Sequence, residues 1–245
     1  MIKRFLLTLL FLTATLFAAD ARLNDYPKAS DWEQAAEAGD ADAMYNLAHT
    51  YQTKVKDFNK AIYWYKRAYE EEPSNDIANN LGYLYDDLGQ YDKAVKYYKW
   101  AAENGYAESA LNLGILCKNR LRDYDKAIEW YKKAYEMGNM GGANNLGYYY
   151  KRIKKDMPKA KEWYEKAAKS GYADSINNLG SLYHDLGDNV HAAAYILAMA
   201  NYGYSKEEVL DFLKNDWKLD RATLQKAYEL QKTLDIPKHY TGGID

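Results

Sequence analysis

One short motif recurs along this chain at nearly constant intervals, and its period constrains the fold more than any other feature. NNLG occupies residues 79–82, 144–147 and 177–180, while the variants LNLG and YNLA occupy 111–114 and 45–48. The leucines of these motifs lie 34, 32, 33 and 33 residues apart, at Leu47, Leu81, Leu113, Leu146 and Leu179. A fixed period of this length is typical of an array of helix pairs, each packed on its neighbours.

Each period divides into two helices, here called helix A and helix B of a repeat. Helix A places Leu, Gly and Tyr at positions i, i+1 and i+4, and we expect the glycine where a neighbouring helix backbone leaves no room for a Cβ atom. Helix B carries a second ladder 13 or 14 residues later, at Ala61, Ala94, Ala127, Ala160 and Ala192. An aspartate four residues before the alanine predicts an N-cap at Asp57, Asp123, Asp156 and Asp188. Glycines that follow helix B predict its end at Gly105, Gly138, Gly171 and Gly203.

The run DYDKAIEWYKKAYEMGNMGGANNLGYYY at 123–150 resembles a Sel-one-like repeat, a bacterial-rich relative of the tetratricopeptide repeat. The resemblance covers about residues 30–204, and a secreted bacterial member of that superfamily is expected. The spacing from ladder Leu to ladder Ala departs from the Sel-one-like pattern and follows the shorter tetratricopeptide one. The resemblance implies an all-α, right-handed α-solenoid of about five repeats with terminal capping helices, used as a scaffold for protein partners.

Four segments are expected along the chain. Residues 1–21 read as a signal peptide, 22–48 as an N-terminal capping helix leading into the first repeat, 43–204 as five repeats, and 205–245 as C-terminal capping helices and a tail. The stretch SKEE from Ser205 predicts a capping box at the start of the first of two final helices. The tail from Pro237 onward, which contains TGGID, is expected to be loose.

The first residues favour export. Lys3 and Arg4 precede an apolar run over residues 5–19, and Ala-x-Ala then stands before Arg22, where we expect cleavage into the periplasm or the medium. The alternative is an uncleaved membrane anchor, for which the run is short. Cys117 is the single cysteine, so an intrachain disulfide is impossible. Because it stands where other repeats have Tyr, we expect it to be buried.

The asparagine just before the ladder leucine is the one polar residue present in all five repeats: Asn46, Asn80, Asn112, Asn145 and Asn178. At 100° per residue it points away from the Leu–Gly–Tyr side of helix A, and in this superfamily that side lines the concave groove. An amide can pair with both the C=O and the N–H of an extended peptide. The same wheel adds His49, Tyr83 and Tyr148 to the predicted groove. The alternative is that the asparagines bond to neighbouring helices and have a structural role.

The residues of the predicted groove indicate the partner's charge. Acidic residues recur five positions before the leucine, at Asp42, Asp76, Glu108 and Asp174, and the positions that bind a free carboxylate in some tetratricopeptide domains hold no Lys or Arg. We therefore expect a protein or extended peptide that is neutral or basic, rather than a free C-terminal carboxylate.

Composition and motifs narrow the function classes further. A formal net charge of -2 argues against nucleic-acid binding, and no membrane contact is expected after signal cleavage. His184 and His191 lack further ligands in a zinc pattern, so no metal, cofactor or catalytic residue is predicted. The leading hypothesis is a periplasmic interaction scaffold and not an enzyme. The alternatives are an immunity protein that neutralises a toxin and, more remotely, an enzyme acting on cell-wall material.

Overall fold

The computed structural model describes residues 27–244, and this part of the chain contains helices and no strands. It forms two compact units that divide between Asn104 and Gly105. The signal-peptide prediction for residues 1–21 lies outside the described residues. The first unit contains α1 Pro27–Glu37, α2 Ala41–Thr50, α3 Phe58–Glu71, α4 Asn75–Asp87 and α5 Tyr91–Glu103. The second contains α6 Ala107–Leu116, α7 Tyr124–Glu136, α8 Met140–Tyr149, α9 Met157–Ala168, α10 Ala173–Asp185, α11 Asn189–Ala198, α12 Lys206–Asp211 and α13 Arg221–Gln231.

Each sequence period corresponds to one packed helix pair, as the solenoid prediction requires. The pairs α2–α3 and α4–α5 lie in the first unit, and α6–α7, α8–α9 and α10–α11 lie in the second. Successive pairs within a unit also pack on each other, through α3 on α4, α7 on α8 and α9 on α10. Both ladders are buried, the leucines and alanines being at most 2% exposed. The expectation of an all-α repeat array is confirmed.

The variation in spacing between the two ladders has a structural cause. Where the spacing is 14 residues, helix A ends in a wider, π-helical turn, over Tyr51–Val55, Cys117–Leu121 and Tyr150–Lys154. Where it is 13, helices α4 and α10 end at Asp87 and Asp185, and Gly89 and Gly187 follow two residues later with positive φ angles of 70° and 80°. A π-helical turn accommodates one inserted residue without breaking the helix, so the extra residue is absorbed there.

The glycine of the repeated motif faces a side chain, which corrects the expectation of a neighbouring backbone. A Cβ atom on Gly82, Gly114 or Gly147 would lie 2.5–2.6 Å from ring atoms of Tyr98, Tyr131 or Tyr164, each on helix B of the same repeat. These rings are almost fully buried, so the glycine makes room for a large aromatic in the core. The backbone contact occurs instead at Gly142, whose Cβ atom would lie 2.3 Å from the Tyr131 carbonyl oxygen.

The predicted helix ends are present. The side chain of each predicted aspartate accepts a hydrogen bond from the backbone N–H three residues on, at 3.0–3.1 Å. The second repeat starts helix B at Gln90, which makes no such side-chain bond. The four glycines that end helix B all have positive φ, from 79° to 100°. Cys117 is buried, and burial raises the pKa of its thiol.

The C-terminal residues pack on the last helices, which contradicts the expectation of a loose tail. The capping box at Ser205 and Glu208 is present at the start of α12. The buried amide of Gln231, on α13, donates to the Tyr240 carbonyl at 2.6 Å and accepts from the Tyr240 N–H at 2.8 Å. Because a buried amide satisfied on both sides fixes its partner segment, Ile236, Tyr240 and Ile244 are held as part of the core.

Candidate protein-binding face

In the first unit, the side chains of Asn80 and Tyr45 both contact the buried Tyr65 on α3. The Asn80 side-chain N–H donates to the Tyr65 hydroxyl at 3.2 Å, and that hydroxyl donates to the Gln52 carbonyl oxygen at 2.9 Å. The Tyr45 ring lies edge-on to Tyr65 at 5.6 Å and stacks on His49 at 6.3 Å. The Asn80 amide therefore bonds to the neighbouring repeat, which is the structural role that the sequence left open as the alternative.

In the second unit, polar side chains join the helices A of the last two repeats. The side-chain oxygen of Asn144, Oδ1, accepts 2.9 Å bonds from both the Asn178 side-chain amide and the Ser175 hydroxyl. The Asn145 amide donates to the Gly141 carbonyl of its own helix at 3.0 Å. All five ladder asparagines are half-buried, including Asn46 and Asn112. The amides thus contribute to the structure. Asn80, Asn145 and Asn178 each donate one side-chain N–H in these hydrogen bonds.

The tyrosines predicted at this face are its most exposed aromatic residues. Tyr83 in the first unit is 47% exposed and Tyr148 in the second is 43% exposed. The negative charge of Asp87 raises the pKa of the Tyr83 phenol. The Lys118 ammonium lies 5.2 Å from the centre of the Tyr148 ring, and partial burial lowers the pKa of this lysine. Tyrosine exposed in this way supplies rigid contact area with a polar tip, a combination that is enriched at binding sites.

The A helices and the turns that follow them carry charges of both signs. Asp42, Asp76, Glu108 and Asp174 are exposed in the first turns of their helices, and the Asn139 amide donates to Glu108 at 2.9 Å. The almost buried Lys151 pairs with Asp185 at 2.8 Å. Sequence reasoning missed Gln52, Lys118 and Lys151, although all three stand five residues after a ladder leucine and the helical wheel could have found them.

The histidines near the C-terminal repeats have local partners. The His184 ring stacks on Trp217 with centroids 4.1 Å apart, and the His191 ring nitrogen lies 2.7 Å from an Asp188 carboxylate oxygen. Within residues 27–244, no three His, Cys, Asp or Glu side chains come together as a metal site. No helix in the same part of the chain is long and apolar enough to cross a membrane.

These features define a helical-repeat scaffold. Its helix pairs repeat in register, small residues lie where the helices contact each other, and equivalent polar side chains recur from repeat to repeat. The tetratricopeptide repeat family matches residues 79–139, and the Sel1 repeat family matches residues 41–72 and 142–172. The chain is therefore a protein of tetratricopeptide and Sel1 repeats, families whose members in general mediate protein–protein interaction.

Solved structures agree with this assignment. A Sel1 repeat protein from Oxalobacter formigenes is 25% identical with a TM-score of 0.51, over 82% of this chain and 76% of that one. BtubC from P. vanneervenii is also 25% identical, with a TM-score of 0.55, over 76% and 94% of the two chains. PilF of Pseudomonas aeruginosa, 20% identical with a TM-score of 0.56 over 77% and 91%, shows the same fold. No curated protein sequence matches the chain.

Proposed function

We propose that this protein is a periplasmic or secreted scaffold whose units each bind an extended segment of a partner protein on the helix-A face of their repeats. The helix-A face comprises Asn46, His49, Asn80 and Tyr83 in the first unit and Asn112, Asn145, Tyr148 and Asn178 in the second. The observation that carries the proposal is the register of the exposed tyrosines. Tyr83 and Tyr148 each stand two residues after a ladder leucine and three after a ladder asparagine, with 47% and 43% of their surface open to solvent.

The hydrogen bonds suggest different roles for the asparagines and the tyrosines of this face. Asn80 and Asn178 bond to the preceding repeat, so these amides hold neighbouring repeats in register. Because an Asn amide has two N–H donors and two acceptor sites, one bond leaves each with capacity for the backbone of a bound segment. The tyrosines supply the contact area that tight recognition needs. The exposed acids Asp76, Glu108 and Asp174 favour a partner segment that is neutral or basic.

A double variant, Tyr83→Ser with Tyr148→Ser, tests the proposal. Both side chains are exposed, so the melting temperature should stay within about 4 °C of the parent, since each exposed position contributes within about 0.5 kcal/mol and about 1 kcal/mol corresponds to roughly 2–4 °C in a chain of this size. Capture of the partner, measured by quantitative mass spectrometry of proteins bound from a periplasmic extract, should fall at least tenfold. The matched control is Leu88→Ser with Leu186→Ser, which removes two other exposed apolar side chains, 41% and 54% exposed.

The asparagines are tested separately by the triple variant Asn80→Ala, Asn112→Ala and Asn145→Ala. A ligand role predicts weaker capture with a modest loss of stability, because a net hydrogen bond contributes about 1 kcal/mol. If stability collapses while capture by the remaining folded protein is unchanged, the asparagines are structural only. Equal capture by the tyrosine variant and its control would refute the binding face itself.

Export is tested by the mature N-terminus. We expect cleavage before Arg22, so the N-terminal peptide from the periplasmic fraction should begin there in mass spectrometry. Recovery of the chain from the cytosol with Met1 intact would contradict the proposed location and leave the binding face untouched.

A further inference from the structure

Two π-helical turns in the second unit lie side by side and share a hollow. They are Cys117–Leu121 and Tyr150–Lys154, at the ends of α6 and α8. A hollow of about 540 Å³ is lined by Leu121, Arg122, Asp123, Tyr124, Asp125, Tyr149, Ile153 and Lys154. We call residues 118–122 and 151–155 the basic edge.

The basic edge is rich in exposed cations. Arg120 and Arg122 are exposed on the first turn, and Arg152, Lys154 and Lys155 are exposed on the second. Neither stretch contains a carboxylate. Of the acids that follow, Asp123 and Asp156 accept N-cap bonds and pair with Lys126 and Lys159 at 2.9 and 3.5 Å, and Asp125 lines the hollow.

The backbone of these turns shows that the cations occupy positions where glycine would cost less. Arg122 and Lys155 both adopt the left-handed conformation, with φ of 57°. Lys56 does so as well, with φ of 61°, at the end of the third π-helical turn. The shorter turns of the same chain place Gly89 and Gly187 in this conformation, which glycine adopts without strain. Lys218 is the fourth, with φ of 54°, and all four non-glycine residues that adopt this conformation in the described chain are basic, which points to a use for the charge.

Aliphatic side chains stand between the cations. Leu121 is 41% exposed and Ile153 is 48% exposed, so each turn presents one large apolar group at its tip. The backbone at the end of each turn is satisfied internally, since Asp123 N–H donates to the Cys117 carbonyl and Asp156 N–H to the Tyr150 carbonyl, both at 2.9 Å. Apolar tips with cations around them and a closed backbone suit a lipid interface, where unpaired backbone groups are costly.

We propose that the basic edge docks on the surface of a bilayer that contains anionic phospholipid. Arg122 and Lys154 face a lipid phosphate at the hollow, the other three cations lie over neighbouring headgroups, and Leu121 and Ile153 enter the boundary of the acyl chains. The proposal departs from the sequence-based expectation of no membrane contact. The cluster of cations is not visible in the sequence, because its members lie in two segments about 30 residues apart. It does not depend on the proposed partner-binding face.

Vesicle co-sedimentation of the mature chain tests this proposal, with phosphatidylglycerol and phosphatidylcholine at 3:7 compared with phosphatidylcholine alone. We expect binding to the anionic vesicles only, weakened by salt. The variant Arg122→Gly with Lys155→Gly suits the left-handed backbone and should keep its fold. Its binding should fall about 30-fold, because each basic residue near an anionic surface contributes about 1 kcal/mol. The control Lys66→Gln with Lys132→Gln removes the same charge from exposed sites on helix B and should bind like the parent.

Two further measurements separate a bilayer from an acidic protein. Leu121→Ser with Ile153→Ser keeps every charge and should also weaken vesicle binding, because the apolar tips are lost. Soluble polyglutamate should compete only weakly. The proposal is refuted if anionic vesicles do not bind, if the helix-B control loses as much binding as the glycine variant, or if polyglutamate binds as well as the vesicles and the serine variant is unaffected.

Discussion

Replacing Gly142 by Ala should destabilise the protein, although alanine is the better helix former. The new Cβ atom would lie 2.3 Å from the Tyr131 carbonyl oxygen and 2.8 Å from the Tyr135 nitrogen, both backbone atoms of α7. A relaxed carbon–oxygen contact needs about 3.3 Å, so α7 and α8 must separate by about 1 Å. Overpacking of this kind costs up to about 3 kcal/mol, and helix propensity returns about 1 kcal/mol. The net loss is about 2 kcal/mol.

The assay is thermal unfolding followed by circular dichroism. A loss of about 2 kcal/mol should lower the melting temperature by roughly 4–8 °C for a chain of this size. The adjacent Gly141→Ala variant is the matched control, because the nearest atoms to its Cβ are in side chains, of Leu111 at 2.8 Å, Asn139 at 2.9 Å and Tyr172 at 3.4 Å. The Asn139 oxygen accepts the N-cap bond from Gly141 N–H, so its displacement has a cost of about 1 kcal/mol. Gly141→Ala should lose at most about 1 kcal/mol, the propensity gain being retained. A melting temperature for Gly142→Ala equal to or above the parent would refute the close approach of the two helices.

Three further outcomes are expected in equilibrium unfolding measurements. Gln90→Asp should stabilise the first unit by about 1 kcal/mol, because an aspartate there can cap helix α5. Gln90 has φ and ψ of -88° and 62°, close to the -93° and 86° of the aspartate cap at Asp123. The control Gln90→Ala should gain no stability. Tyr65→Phe should cost about 1 kcal/mol, because its hydroxyl bonds to Asn80, whereas Tyr164→Phe should be neutral or stabilising, because no partner is found for that buried hydroxyl; equal losses would contradict this reasoning. Burial raises the pKa of the Tyr65 and Tyr164 phenols above the ordinary value near 10, so the unfolded chain loses these protons at a lower pH than the folded chain. Their contribution to the free energy of unfolding is complete below about pH 10 and falls as the pH rises further. A variant with Phe at both positions should show a shallower fall of the free energy of unfolding above that pH.

Features set by local spacing were predictable from the sequence. The leucine and alanine ladders, the aspartate caps and the glycine stops follow from contacts within one helix or between adjacent helices, so periodicity reveals them. The change from 13 to 14 residues between ladders was visible too. Its meaning required the structure, because the inserted residue could equally lengthen a loop, and it is instead absorbed in turns such as Cys117–Leu121.

Features set by contacts between distant residues were not predictable. The helical wheel separated Asn80 from the Leu–Gly–Tyr side of its helix but did not indicate that Tyr65 lies within hydrogen-bonding distance. The tail looked loose because TGGID has turn composition, whereas its position is fixed by the buried amide of Gln231. The basic edge combines two segments that only the packing of successive repeats brings together.

Site-specific photocrosslinking in living cells tests the central claim, that the helix-A face binds a partner protein. A photoreactive amino acid replaces Tyr83 or Tyr148 in turn, and Lys66 or Lys132 on helix B in the controls, all four positions being exposed. If the helix-A face binds a partner, the two helix-A positions should yield adducts with the same partner protein, identified by mass spectrometry, and the helix-B positions should not. Absence of adducts at Tyr83 and Tyr148, or equal yields of the same adduct from Lys66 and Lys132, would contradict this claim.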